Sequence, residues 1–419
     1  MSALAHLSSM LADAPDRFRR RMSGGGYRPE IDGLRFFAIA IVVIGHVAER
    51  AVRFFPAARE AMVGGAVGEL LQRAGLGVFL FFTISGFIIA TQARKSRRSP
   101  LSAEFLKAYY WRRILRIEPP YVVLLVCTWA ALTLTAYVPE GANHFDAQPH
   151  SLNLSLLGSI FYLHGLIWGA YPRLFPPGWS LEVEVQFYLI APLLFWFWFR
   201  LRNDGLRIAL GLVALAAGAF VSLTLPATIG PVFIDKGILR FFSFFWLGIL
   251  LCDAQGWIMA KAAGLPRAVA DSIGWGGLLV YLIIPNAGDI IGEGMILRAA
   301  VYVSLAAMFM GAWAPQSSFH WFCTRPWISL IGGACYSIYL VHMQTTQVLS
   351  MAAAKFAPDL GLPGIVALMA IQYAAIVAVG LVFYATVERT FMLPNWHRAL
   401  ANRARSLFTA RPTGPTPAE

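Results

Sequence analysis

The sequence predicts an all-α fold, a polytopic transmembrane helical bundle of about ten spans with both termini in the cytoplasm. Of its 419 residues, 58% are hydrophobic and 13% are charged, whereas a soluble domain carries about 25% charged residues. The apolar residues come in blocks of roughly 17 to 25, the length of helix that crosses a hydrocarbon core. The basic residues cluster in alternate connections between these blocks. These three observations exclude an ordinary soluble domain.

The apolar blocks follow one another with mostly short polar connections. The predicted spans are residues 35–55, 76–92, 117–137, 180–199, 208–226, 238–253, 271–286, 294–313, 327–349 and 363–386. The longest connection, 138–179, contains a weakly apolar stretch at 152–168 that includes His164. An even number of spans makes this stretch extracytoplasmic or re-entrant, and a re-entrant segment must be buried in protein or line a cavity.

The basic residues set the orientation of the chain. With the amino terminus inside, 24 of the 34 Lys and Arg residues fall in cytoplasmic segments and seven in outer ones. Both termini are therefore expected in the cytoplasm. The net charge of +12 is therefore attributed to basic residues that orient the chain in the lipid bilayer. No nucleic-acid partner is expected.

The chain divides into a cytoplasmic tail (1–33), a transmembrane domain (34–388) and a second cytoplasmic tail (389–419). The first tail is polar and rich in arginine, so we expect no cleavable signal peptide. The last is polar, basic and too short for another domain. The four cysteines are dispersed without CxxC spacing, so we expect neither a disulfide scaffold nor a metal site.

The first span carries two ionisable residues on one helical face. Arg35 and His46 are eleven residues apart, roughly 20° from three full turns and about 16 Å along the axis. Ionisable groups inside a span are costly and mark functional candidates. The alternative is that Arg35 snorkels to lipid phosphates and His46 is a satisfied core histidine.

A basic cluster leads into the third span. Arg113 and Arg116 are three residues apart and therefore neighbours on a helix. With Arg112 and Lys107 they form a cluster suited to a polyphosphate ligand, or an ordinary positive-inside anchor. Pro119 and Pro120 predict a kink just inside the bilayer.

Two carboxylates and a histidine mark the outer halves of two later spans. Glu182 and Glu184 enter the fourth span, where two carboxylates need a polar partner. They can act as a base or a base-orienting group, or pair with an arginine such as Arg240 or Arg298. In the ninth span, GGACYSIYLVH (332–342) ends in His342, a residue type that can shuttle protons.

Together these segments closely resemble the acyltransferase-3 family of bacterial membrane proteins, which O-acylate cell-surface polysaccharides, peptidoglycan, nodulation factors and some macrolides. The opening YRPEIDGLR (27–35) looks like the family's entry into its first span. The family's basic residue, ten residues, then histidine pattern falls on Arg35 and His46. Its FFxxSGF element appears as FFTISGF (81–87), which contains Ser85.

Three further elements continue the resemblance through residue 391. The family's RxxRIxPxY element matches Arg113, Arg116, Ile117, Pro119 and Tyr121. Its WSLxxExxFY element matches Trp179, Ser180, Leu181, Glu184, Phe187 and Tyr188, and Glu182 stands where the family often has a small residue. Its SYSIYLxH element keeps Tyr336, Tyr339 and His342, with Cys335 in place of a common serine. The VERTF sequence (387–391) departs from the usual Glu-Arg-Pro.

The resemblance implies a multi-pass O-acyltransferase of the bacterial inner membrane. Acetyl-CoA, or another acyl-CoA, would be the cytoplasmic donor and co-substrate. The acceptor would be an extracytoplasmic or membrane-exposed hydroxyl, such as that of a cell-surface carbohydrate of the cell envelope. Some members carry an additional esterase-like domain after the last span, and we expect this chain to complete the transfer with its membrane domain.

The resemblance also implies roles for particular residues. The predicted catalytic residues are His46, Glu184 and His342, with His46 as the base or the acyl carrier and Glu184 orienting the imidazole or the sugar. The predicted donor-binding residues are Arg35, Ser85, Arg113, Arg116 and Tyr121. The alternative from another class is a transporter or flippase of a glycolipid or polysaccharide precursor, because intramembrane Arg, His and Glu also mark transport paths.

Overall fold

A computed structural model of the chain describes residues 15, 27–136, 151–226, 228–229, 232–284, 294–392 and 396. These residues are almost entirely helical, as predicted. Most of the two predicted tails, and residues 138–150 of the predicted outer connection, lie outside the described residues. The helices before the outer connection are α1 (Pro29–Phe54), α2 (Pro56–Met62), α3 (Ala66–Leu71), α4 (Ala74–Lys95) and α5 (Ala103–Thr135).

The remaining helices follow in chain order around one short hairpin. They are α6 (Leu152–Ile160), α7 (His164–Trp168), α8 (Gly178–Trp198), α9 (Asp204–Thr224), α10 (Ile238–Ala263), α11 (Arg267–Ile283), α12 (Met295–Ala312), α13 (Ser318–Cys323), α14 (Pro326–Gly333), α15 (Cys335–Phe356), α16 (Leu362–Phe383) and α17 (Arg389–Phe391). A π-helical turn, Tyr384–Glu388, joins α16 to α17. Strands β1 (Thr228–Ile229) and β2 (Val232–Phe233) pair antiparallel between α9 and α10.

Eight helical segments among the described residues are long and apolar enough to cross a membrane, which makes the chain a multi-pass membrane protein. The other two predicted spans are also helical. The seventh corresponds to α11, which has 17 residues. The ninth begins as α14, is interrupted at Ala334 and continues as α15. The stretch 152–168 forms two short helices, α6 and α7, each shorter than a span requires.

Local sequence explains where the long helices begin. Helix α1 starts at Pro29, whose missing N–H is not needed in the first turn, and has Glu30 and Asp32 near its positive end. The Ser102 hydroxyl caps α5 by accepting from the Phe105 N–H at 3.3 Å. The Asn203 side chain caps α9 by accepting from the Leu206 N–H at 2.9 Å.

The centre of the bundle is formed by α1, α4 and α10, whose backbones touch at glycines. A Cβ at Gly86 would overlap the Phe245 carbonyl of α10, and one at Gly77 would overlap the Ala38 carbonyl of α1. Near the carboxyl end of α1, a Cβ at Gly45 would lie 2.6 Å from the Ala74 nitrogen. Small residues permit such close helix crossings in membrane proteins. These three helices therefore form a tightly packed core.

Candidate active site

His46 lies near the carboxyl end of α1 and is half-buried. Its Nδ1 lies 2.8 Å from Oε2 of Glu49, one turn further along the helix. A carboxylate accepts only, so Nδ1 donates and the neutral ring keeps its lone pair on Nε2. This histidine is therefore oriented by its own helix and carries an acceptor nitrogen, as a base requires.

His342 on α15 faces His46. The two ring centroids are 5.1 Å apart, and His342 is fully buried. Its Nδ1 donates to the backbone carbonyl of Tyr339, and its Nε2 makes no hydrogen bond among the described residues. The structure thus brings together two of the predicted catalytic residues from the first and ninth predicted spans.

Tyr339 connects His342 to the start of α8. Its ring lies 5.4 Å from that of His342, and its hydroxyl contacts the Ser180 hydroxyl at 2.7 Å and donates to the Pro177 carbonyl at 2.5 Å. These bonds fix the amino-terminal end of α8 against α15. They bring together a tyrosine and a serine from two motifs that are far apart in the sequence.

Glu184 and Ser85 form a second polar centre. The Ser85 hydroxyl donates to Oε1 of Glu184 at 2.6 Å, and the Tyr188 hydroxyl donates to the same oxygen. Oε2 of Glu184 makes no hydrogen bond among the described residues. Ser85, predicted to bind the donor, thus lies in direct contact with a predicted catalytic residue, at the middle of α4.

The two histidines and Glu184 do not touch directly. The carboxylate that contacts His46 is Glu49, not Glu184. Tyr339, whose ring is tilted against that of His342, is also close enough to Glu184 to interact with it electrostatically. Among the described residues, Glu184 thus forms no hydrogen bond with either imidazole, and Tyr339 lies between it and His342. The His46–Glu49 spacing was visible in the sequence as a helical i, i+3 pair, but no motif singled it out.

Glu182, the other carboxylate of the pair, has a structural contact. It is buried, and Oε2 accepts from the Gly165 N–H at 2.8 Å, in the first turn of α7. Carboxylates are favourable at the N-terminus of a helix. Pairing with Arg240 is not observed, because Arg240 is bonded to Asp235 at 2.9 Å. Of the two glutamates, Glu184 is thus the one placed among the candidate site residues.

The predicted basic cluster lies next to Glu184, on the side of Tyr188. The buried Arg113 donates to Oε1 of Gln92 at 2.5 Å and lies 5.3 Å from the Tyr188 ring. Arg116 is close enough to Tyr188 and Glu184 to interact electrostatically with both. Arg113 and Arg116 therefore face the interior of the bundle, which an ordinary positive-inside anchor does not require, whereas Arg112 and Lys107 of the predicted cluster are exposed.

Tyr121 is buried one turn further along α5. Its ring stacks on that of Tyr162 at 5.3 Å. The preceding turn contains Pro119 and Pro120, and the Ile117 carbonyl there accepts from the Tyr336 hydroxyl at 2.7 Å. These contacts join α5 to α15 and place Tyr121 beneath the start of α8, where Gly178 leaves room for it.

Arg35 lies apart from the other predicted donor-binding residues. It is buried at the other end of α1 from His46 and donates to Oδ1 of Asp32 at 2.6 Å. No contact joins Arg35 to Arg113 or Arg116 among the described residues. Its face of α1 is covered by α14, where Gly332 packs on the Asp32 carbonyl. The structure thus places the predicted basic residues at two separate positions.

The arrangement of motifs from five helices around two polar centres agrees with comparisons to known proteins. The family model described as an acyltransferase domain matches residues 28–387. The chain belongs to the acyltransferase-3 family. The match covers every residue discussed above as a candidate for chemistry, so the resemblance seen in separate motifs holds across the whole membrane domain. No solved structure gives a significant match.

Three curated relatives show the range of the family. The O-acetyltransferase OatA of Staphylococcus aureus is 26% identical over 338 residues, which cover 77% of this chain and 51% of that protein. The acyltransferase MdmB of Streptomyces mycarofaciens is 28% identical over 174 residues, 41% of this chain and 39% of the relative. Nodulation protein 10 of Rhizobium leguminosarum is 25% identical over 342 residues, 76% and 83% of the two chains. The chain thus spans about half the length of the first of these relatives.

Proposed function

We propose that the protein is an O-acyltransferase that moves an acyl group, specifically acetyl, from cytoplasmic acyl-CoA to a hydroxyl of an extracytoplasmic or membrane-exposed acceptor. We place it in the bacterial inner membrane, with the acceptor a cell-surface carbohydrate. Family membership and relatives named as an O-acetyltransferase and an acyltransferase support this reaction class.

The observation that carries the proposal is the pairing of His46 with His342. Each ring donates from Nδ1, to Glu49 and to the Tyr339 carbonyl respectively. Each neutral ring therefore keeps an acceptor nitrogen, Nε2. Two such nitrogens on rings 5.1 Å apart suit a hydroxyl that must be both positioned and deprotonated.

In the proposed reaction His46 acts as the general base. Its Nε2 takes the proton of the acceptor hydroxyl while the oxygen attacks the thioester carbonyl carbon. The new C–O ester bond forms, the C–S bond breaks, and the CoA thiolate recovers the proton from His46. His342 accepts a hydrogen bond from the hydroxyl or the imidazolium through Nε2, and so holds the reacting groups together.

Glu184 is assigned to the substrates and not to His46. Both of its hydrogen bonds use Oε1, which leaves Oε2 for a hydroxyl of the acceptor. Such a contact would turn the sugar so that one particular hydroxyl meets His46. Ser85 and Tyr188 hold this carboxylate in place from two different helices.

The donor would enter from the cytoplasmic side, along the predicted binding residues. Arg113 and Arg116 would contact its diphosphate, because guanidinium groups suit phosphate oxygens. The Nε of Arg113 is buried without a partner among the described residues. Ser85 and Tyr121 would line the pantetheine arm further in, and Arg35 would contribute positive charge at the cytoplasmic end of α1.

The test compares cells that produce the wild-type protein, the His46→Gln variant or neither, by mass spectrometry of surface glycans. Glutamine keeps the size of the side chain but cannot take a proton, so acylation should fall at least about a hundredfold. Binding of CoA to the purified variant, measured by calorimetry, should be largely unchanged. Near-normal acylation by His46→Gln would refute the base assignment. Loss of the glycan itself, instead of its acyl groups, would favour a flippase.

A further inference from the structure

A cavity of about 430 Å³ opens where α4, α8 and α9 meet. It is bounded by the end of α4 and the following turn, by the last turn of α8, and by Arg207 of α9. This volume falls in the range of small-molecule sites, about 300–1,000 Å³. The surrounding segments are the ones that the distribution of basic residues places in the cytoplasm.

The lining of the cavity carries four arginines and no acidic residue: Arg94, Arg98, Arg200 and Arg207. Arg94 and Arg207 flank the buried Asp253 at 3.5 and 3.2 Å. Arg98 and Arg200 form no side-chain hydrogen bond or ion pair within the described part of the chain. Two guanidinium groups therefore remain for an anionic ligand, beside two whose positions are fixed.

One wall of the cavity is aromatic. Phe195, Trp196 and Phe199 line it, and the Arg200 guanidinium lies 3.6 Å from the centre of the Trp196 ring. Flat aromatic and guanidinium surfaces stack well on nucleic-acid bases. Free guanidiniums next to an aromatic wall suit a ligand with both phosphate groups and a base.

The cavity also adjoins the path proposed for the donor. Gln92, which binds Arg113, lies two residues before Arg94 on α4. Ser85 lies nine residues before Arg94, about 14 Å along the helix. A ligand held in the cavity by its nucleotide end could thus extend an arm past Arg113 to the Ser85–Glu184 centre.

We propose that this cavity binds the 3′-phosphoadenosine end of the acyl-CoA donor, with the 3′-phosphate on Arg98 and Arg200. This inference rests on the proposed function, because it takes the donor from it. It assigns the adenosine and the 3′-phosphate to residues outside the family motifs, whereas the diphosphate remains with Arg113 and Arg116.

The test measures binding of CoA and of 3′-dephospho-CoA to the full chain in nanodiscs of neutral phosphatidylcholine. The wild type should bind CoA at least about tenfold more tightly than the dephospho form. The R98Q/R200Q double variant should bind both ligands within about twofold of each other, because the groups that distinguish them are gone. Neither residue forms a structural hydrogen bond with its side chain, so the variant should fold.

The matched control is R97Q/R202Q, which removes the same charge from the same two connections. Arg97 and Arg202 are exposed and do not line the cavity. The control should keep the full preference for CoA. An equal loss of preference in the control would show that the preference depends on the overall positive charge of this surface, and it would refute the site. A preference that persists in R98Q/R200Q would refute it as well.

Two further outcomes separate this site from the proposed function. If the wild type binds CoA without any preference over the dephospho form, the cavity assignment is refuted, but the proposal that acyl-CoA is the donor is retained. If the wild type binds no CoA, the proposal that acyl-CoA is the donor is refuted. Nanodiscs with phosphatidylglycerol test whether the cavity binds the phosphate of a lipid headgroup instead of that of CoA. Retention of this lipid that depends on Arg98 and Arg200, together with unchanged CoA binding, would make the cavity a lipid site and overturn the proposal.

Discussion

Glu49 belongs to none of the sequence motifs, yet its carboxylate contacts the His46 imidazole. Its side chain is 44% exposed, yet Oε2 lies 2.8 Å from His46 Nδ1. An exposed ion pair contributes up to about 1 kcal/mol, so the carboxylate adds little to folding. Its effect on the imidazole is specific, because it fixes which nitrogen carries the proton and which way the ring points.

Replacing Glu49 by Gln should therefore slow transfer without weakening donor binding. We expect turnover to fall roughly three- to tenfold, which corresponds to about 0.7–1.4 kcal/mol of transition-state stabilisation. Steady-state kinetics with purified protein should show the change in kcat, with the KM for acyl-CoA unchanged. Glu60→Gln changes an exposed carboxylate on α2, the helix that follows α1; it is the control and should leave turnover unchanged. A matching loss in Glu60→Gln would contradict the positioning role.

The sequence could identify some of these contacts but not others. The His46–Glu49 pair is one helical turn apart and was readable from spacing alone. The Ser85–Glu184 bond joins residues of the second and fourth predicted spans, and nothing in either motif indicates which partner it meets. Glu182 was separable from Glu184 only by resemblance, because the capping of α7 depends on a segment whose fold was not predictable.

At the level of helices, the FFTISGF segment shows why a glycine follows the serine. Gly86 lies against the carbonyl of Phe245, and Gly248 of α10 lies in the same way against the carbonyl of Thr83. The two glycines let α4 and α10 approach until their backbones touch. Ser85 is held at its position by this contact.

Gly86→Ala should separate α4 from α10 and disturb the Ser85–Glu184 contact. Overpacking in a tight core costs about 1–3 kcal/mol, so we expect a lower unfolding temperature in detergent and a loss of transfer. Gly256→Ala is the matched control on α10, because a Cβ there meets nothing within 4 Å. Alanine is also the better helix former. A Gly86→Ala protein as stable as the Gly256→Ala protein would contradict this packing.

At the scale of the whole molecule, two contacts each join helix ends that the predicted topology places on the same side of the membrane. Arg73, before α4, donates to the Ile284 carbonyl after α11 at 2.7 Å, which joins two ends predicted to be outside. Arg94 and Arg207 meet at Asp253, which joins ends predicted to be inside. Hydropathy and charge thus predict the alternation of helices. They did not predict the interruption at Ala334, because the apolar block continues across it.

This topology predicts which positions a membrane-impermeant reagent can reach. In a cysteine-free background, a cysteine at Glu60 should react with an impermeant maleimide in intact spheroplasts. A cysteine at Arg97 should react only after lysis, because the alternation places that connection in the cytoplasm. Labelling is read by gel shift. Labelling of the Arg97 position in intact spheroplasts would reverse the orientation.

The close contacts among α1, α4 and α10 also bear on how such a protein can diverge. The close backbone contacts at Gly45 and Gly77 fix α4 against α1, and they therefore fix His46 relative to Ser85. Selection for a new acceptor can then act on elements outside this frame, such as α6, α7 and the β1–β2 hairpin, which pack on α5, α8 and one another. Inheritance of the three-helix frame and drift in the outer elements would let one chemistry spread over many acceptors.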